Sequence, residues 1–191
     1  MLRYQLDIFN DKNDYLLLDN VILQTRKSLE CIAYASISPN KKAYSKFRSE
    51  AEKSADFRKD YNGTKIIKQL SIINKDFYPL PLEEPNLTEE RAWHFDRFDG
   101  CYLTKKQFIT LYDRLGKYLH ADNPWDNDKN YLNLAKDLSS YFVKIKSLLQ
   151  VHVTFVQDQK SRSAFVIDMG SKVKDVSVIT AVSSGDFLVN R

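Results

Sequence analysis

Three histidines and one basic stretch are the residues whose types and spacing could do chemistry in this sequence. His120 closes a helical pattern in Leu115-Gly116-Lys117-Tyr118-Leu119-His120. A helix C-terminus favours the protonated imidazole there, and an unperturbed pKa near 6.5 suits general acid or base work. His94 lies in Trp93-His94-Phe95-Asp96, followed by Asp99, and imidazole with carboxylate would suit Zn or Mn. No second histidine or cysteine stands at a ligand spacing from it, so no metal is expected. His152 sits between Val151 and Val153 in an alternating stretch, where a structural place on a sheet face is expected.

The basic stretch runs from Lys41 to Lys68. Its nine cations, among them Lys41, Lys42, Lys46 and Arg48, face four carboxylates, so this window carries +5 while the whole chain carries +4. Tyr44, Phe47, Phe57 and Tyr61 are interleaved with them. Cations hold phosphates and aromatic faces stack bases, which makes this a candidate nucleic-acid surface. The competing reading is a solvated helix whose aromatic residues face the core. A second window, Glu83 to Asp99, holds six carboxylates against Arg91 and Arg97. An acidic arm lying against the basic helix, in the same chain or a neighbour, would account for both windows without a ligand.

Helical spacing supplies the elements that position these residues. Apolar residues recur at three- and four-residue steps from Asp14 to Ser38, and Pro39 ends that long helix, with Asn40 placed to cap the next. A thinner apolar stripe marks a more exposed helix over Lys41–Phe57, and Asn62-Gly63 turns the chain into a short helix over Thr64–Ile73. Pro79, Pro81 and Pro85 make Asn74–Glu90 an ordered loop, after which Ala92–Phe98 reads as a short strand or extended arm. Thr104-Lys105-Lys106-Gln107 has the form of a capping box opening a fourth helix to about His120, and a fifth spans Asn130–Gln150. Beyond Gln150 the period changes to two, over Val151–Val156, Ala164–Ile167 and Val176–Val182, a three-stranded antiparallel β-meander. The fold class is therefore α+β: an antiparallel bundle of about five helices over residues 1–150, with the meander of residues 151–191 packed on it.

Composition bounds the rest. With 191 residues, 43% hydrophobic and 5 Gly plus 5 Pro, the chain can bury a proper core and is neither disordered nor fibrous. Its longest apolar runs, such as Leu16-Leu17-Leu18, are too short for a membrane helix, and Asp7, Asp11 and Asp14 contradict a targeting segment. A cytoplasmic protein is expected, with Cys31 and Cys101 reduced and structural. Nucleotide binding without cleavage would use the basic second helix, but no glycine-rich phosphate loop is present and no cofactor is expected.

Arg114 and His120 together, an arginine followed by five residues and a histidine late in a small helical domain, resemble the Arg-x(4–6)-His signature of HEPN domains (higher eukaryotes and prokaryotes nucleotide-binding). Arg26-Lys27-Ser28-Leu29-Glu30 is similar to that family's opening helix. Two further phrases, Lys117–Pro124 and Ile72–Pro79, are similar to uncharacterised bacterial HEPN-like proteins, and the likeness covers about residues 14–150. It implies metal-independent RNA cleavage in a cleft shared by two protomers, in a bacterial toxin–antitoxin or antiviral system. Family members without a working motif act as binding or dimerisation modules. The chain departs from the active pattern at Leu115, where a polar residue usually follows the arginine.

On that resemblance His120 would be general base on a ribose 2′-OH or general acid on the leaving oxygen. Arg114 would hold the phosphate, with Lys117 and Tyr118 as further phosphate ligands. At about 100° per residue, positions 114 and 120 point roughly 120° apart on one helix. They meet over one phosphate only if the helix breaks before His120 or a second subunit supplies one of them. Otherwise His120 caps the helix and bonds Asp122 or Asn123, and Arg114 pairs with a surface carboxylate. The expected partners are RNA, a second copy in a homodimer, or a protein docked through the acidic arm or the meander, and not a membrane.

Overall fold

Side-chain caps open most of the helices of this chain, whose computed structural model describes residues 1–12, 14–52, 60–87, 89, 93–121, 124–125, 129–157, 162–170 and 175–181. The first helix, α1 (Leu2–Lys12), precedes those legible in the sequence and buries Leu6 and Phe9. Asp14 accepts from Leu16 N and Leu17 N at 3.1 and 3.4 Å and opens α2 (Tyr15–Ile37). A 3₁₀ turn over Ser38–Asn40 leads directly into α3 (Lys41–Glu52). Asn62 caps α4 (Gly63–Ile73) through Lys65 N at 2.9 Å. The Thr104–Gln107 capping box opens α5 (Lys105–Leu119), and Asn130 caps α6 (Tyr131–Leu149). The expected extension of α3 to Phe57 lies outside the described residues.

Helix α2 runs through the centre of the bundle, packed on α1, α4 and α5. Its Leu18, Val21, Ile22, Leu29 and Ala33 are fully buried in one core with Ile67 and Leu70 of α4, Phe108, Leu111 and Leu115 of α5, and Leu134 and Leu138 of α6. Each such Val, Leu, Ile or Phe side chain contributes roughly 1.5–3 kcal/mol of burial. Phe77 and Tyr78 join this core from the proline-bearing segment, so that part of the expected surface loop is interior.

The sheet differs from a three-stranded meander. Strands β4 (Val151–Gln157), β5 (Arg162–Asp168) and β6 (Ser177–Ala181) pair antiparallel as the alternation predicts, but β1 (Leu80–Pro81) adds a fourth strand on the open edge of β4, giving the order β1-β4-β5-β6. Pro81 is tolerated because its backbone polar side faces away from β4, where its carbonyl accepts from Phe98 N at 3.2 Å and no ladder bond to β4 needs its missing N–H. The following arm, β2 (Asn86–Leu87) paired with β3 (Trp93–His94), is a separate two-stranded ribbon. Leu80, Leu82 and Phe95 pack on Val151, Val153, Phe155, Ala164 and Val166, so the arm's base rests on the sheet.

One buried polar junction ties sheet to helices. Asn74 Nδ2 donates to the Phe155 carbonyl at 3.0 Å and to Asn40 Oδ1 at 3.2 Å, while Asn40 Nδ2 donates to the Ser36 carbonyl at 3.0 Å. Asn40 was expected to cap α3; it instead spends its side chain inside this junction, where an unpaired amide would be costly.

Candidate functional site

A basic concavity lies where α3 starts. Lys41, Lys42 and Lys46 are exposed on one side of the helix, and with Ala43, Phe47, Glu50, Ile73 and Val156 they line an open groove of about 960 Å³. Lys46 Nζ lies 3.9 Å from Glu50, a loose pair one helical turn apart. The groove's floor is set by the Asn40–Asn74–Phe155 junction, which holds the end of β4 beside the start of α3.

Arg48, grouped with these lysines in the sequence, is turned the other way. It is buried and paired to Asp60 at 3.0 Å, so it serves the core side of α3 and not a ligand surface. The buried Tyr44 hydroxyl donates in the same network, with Asp60 Oδ2 at 3.0 Å and Gln69 Oε1 at 2.6 Å. Burial and the Asp60 hydrogen bond push the Tyr44 phenol well above its ordinary value, so it stays protonated. The basic helix is thus both readings at once: its Tyr44 and Arg48 face is core, while its lysines and Phe47 line an open groove.

The second concavity holds His120. Helix α5 ends at Leu119, and His120 takes an extended backbone (φ −87°, ψ 152°) with its carbonyl accepting from Lys129 Nζ. His120 is exposed and lines an open groove of about 530 Å³ together with Asp19, Asn20, Leu23, Tyr118, Lys129 and Tyr131. Asp122 and Asn123, the expected partners of the His120 side chain, lie outside the described residues. Arg114 does not line this groove. Its Nη1 donates to Asp137 Oδ2 of α6 at 2.6 Å, and although burial works against its charge, Asp137 holds it above the ordinary guanidinium range.

Tyr118, expected as a phosphate ligand, lines the His120 groove but presents little surface to it. It is buried, its ring meets Tyr131 edge-on at 5.0 Å, and its hydroxyl sits 3.0 Å from both Asn130 N and Asn130 O, fastening the start of α6 to the end of α5. Lys117 is exposed. The sequence therefore named His120, Lys41, Lys42 and Lys46 as exposed groups, and the structure sets them in two different grooves. It missed Asp19, Asn20 and Lys129 beside His120, and Ile73 and Val156 beside the lysines. These are distant in sequence and carry no local signal.

The remaining candidates are accounted for locally. His152 is buried with Nδ1 3.0 Å from the Leu149 carbonyl, and burial lowers its pKa. His94 Nε2 lies 3.2 Å from Asp96 on the exposed arm, and among the described residues no three His, Cys, Asp or Glu side chains are grouped to hold a metal. Cys31 and Cys101 are free and exposed, so neither is a core residue. No described helix is long and apolar enough to cross a membrane. No protein-family model matches the chain, and neither a curated protein nor a solved structure does.

Proposed function

We propose that this chain is an RNA-binding protein, HEPN-like in its helical part, that holds a single-stranded phosphate backbone along the α3 groove. The observation that carries the reading is the row Lys41, Lys42, Lys46 lining one concavity beside Phe47, with the following Arg48 withdrawn into a buried ion pair. Ammonium groups on flexible stems act as point charges on phosphates, and a partly exposed ring beside them offers a stacking face. This arrangement binds without base readout, so affinity depends on charge and salt and little on sequence. Labelled single-stranded RNA titrated with the protein tests it: Lys42→Glu with Lys46→Glu lowers affinity at least about tenfold, and equal binding by the variant refutes the reading.

A second reading, metal-independent cleavage, draws on one observation: α5 breaks at Leu119, so His120 reaches an open groove beside Lys129. Arg114 is engaged with Asp137 and lies outside that groove, so within one chain His120 lacks the guanidinium the reaction needs. The reading then requires a second protomer. Incubation of RNA with the protein in EDTA, beside His120→Ala, separates the two. Cleavage abolished by the substitution supports catalysis at His120; intact RNA that is nevertheless bound supports binding alone.

A further inference from the structure

The acidic arm and the lysine groove sit at opposite ends of one strand. β1 runs antiparallel to β4 with Leu80 opposite Val153 and Pro81 opposite His152, and Leu82 N donates to the Val151 carbonyl at 2.9 Å. The chain therefore leaves the sheet at the Val151 end. The groove takes in Val156, five residues further along, or about 17 Å of antiparallel strand. Glu83 N donates to the Asp96 carbonyl at 2.9 Å and Phe95 packs on the sheet, so the arm's base is fixed away from its own groove.

The two surfaces match in charge and in apolar content. Among the described residues of 83–99, Glu83, Glu84, Glu89, Asp96 and Asp99 are exposed against the exposed Arg97. Leu87 and Trp93 are register partners across the ribbon and are 60% and 59% exposed, an apolar pair set within the carboxylates. The groove offers the complement: Lys41, Lys42 and Lys46 around Phe47, Ile73 and Val156. We infer that the arm of a second copy of this chain docks in the lysine groove, Leu87 and Trp93 against its apolar floor and Glu83 and Glu84 toward its lysines. Two reciprocal contacts related by a two-fold axis close the assembly as a dimer. Extending the RNA-binding reading, on which this last step rests, the arm competes with the phosphate backbone for the same cations and so regulates binding.

Sedimentation of the full chain at low and high salt, with a charge swap, tests the inference. The wild-type protein is expected to be a dimer at low salt that dissociates as salt rises. Glu83→Lys with Glu84→Lys, and separately Lys41→Glu with Lys42→Glu, each give monomers with unchanged helical circular dichroism, and mixing the two variants restores a dimer because both reciprocal contacts regain opposite charge. Trp93→Ala weakens the wild-type dimer at least about tenfold. A monomeric wild type, single-reversal variants that remain dimeric, growth into larger chains, or a mixture that stays monomeric overturns arm docking. RNA added to the wild-type dimer yields monomer–RNA complexes; RNA bound to an intact dimer overturns the competition. Rescue by charge swap with no RNA binding by any variant leaves the docking standing and removes the RNA reading alone.

Discussion

Arg48 Nη2 lies 3.0 Å from Asp60 Oδ1, with the two side chains only 7% and 8% exposed. The pair sits on the core side of α3, with the Tyr44 hydroxyl on the second Asp60 oxygen, and so fixes which face of the helix points outward. Removing one member leaves the other charged and buried. Asp60→Ala is therefore expected to cost about 3–5 kcal/mol, read as a lower urea midpoint. The same loss would blunt RNA binding by loosening α3, without touching a lysine.

Arg114 and Asp137 form a close pair of the opposite kind, at the surface, with Asp137 half exposed at 51%. Solvent screens it and two long side chains lose freedom to make it. Arg114→Ala is expected to change unfolding stability by no more than about 1 kcal/mol and to leave RNA affinity unaltered. A large affinity loss in this variant would return Arg114 to the binding surface.

His152 links stability to pH. Burial lowers its folded pKa below the unfolded value near 6.5, so between those two values the unfolded chain binds more protons. Its contribution is fully present above pH 6.5 and is lost as pH falls through that window. The wild-type urea midpoint should thus fall between pH 7.5 and 5.5, and His152→Asn, whose amide can still meet the Leu149 carbonyl, should flatten that part of the fall. An identical pH dependence in the variant would assign the effect to other groups.

Helices α2 to α6 were legible because their signals are local, whereas α1 was not read. Leu18, Val21, Ile22 and Leu29 repeat on one face, and Thr104 and Gln107 lie three apart as a capping box must. β1 was hidden for the converse reason: Leu80-Pro81 contains the residue that argues against a strand, and its partner Val153 is seventy-three positions away. Arg48 and Tyr118 were read as surface ligands because composition counts a charge or a phenol without its direction. Their burial depends on Asp60 and Asn130, which no spacing rule joins to them. His120 was read correctly as a helix end, and the angle between positions 114 and 120 anticipated their separation; only the partners are tertiary, since α6 supplies Asp137 and α2 supplies Asp19.

The most direct test of the central claim is the salt dependence of single-stranded RNA affinity for the wild-type protein and for Lys41→Gln, Lys42→Gln, Lys46→Gln combined. If the three lysines hold phosphates, the slope of log affinity against log salt becomes shallower by about 2, at roughly 0.7 per neutralised phosphate on a single strand. A slope unchanged by the triple substitution would contradict the assignment of the α3 groove as the RNA site.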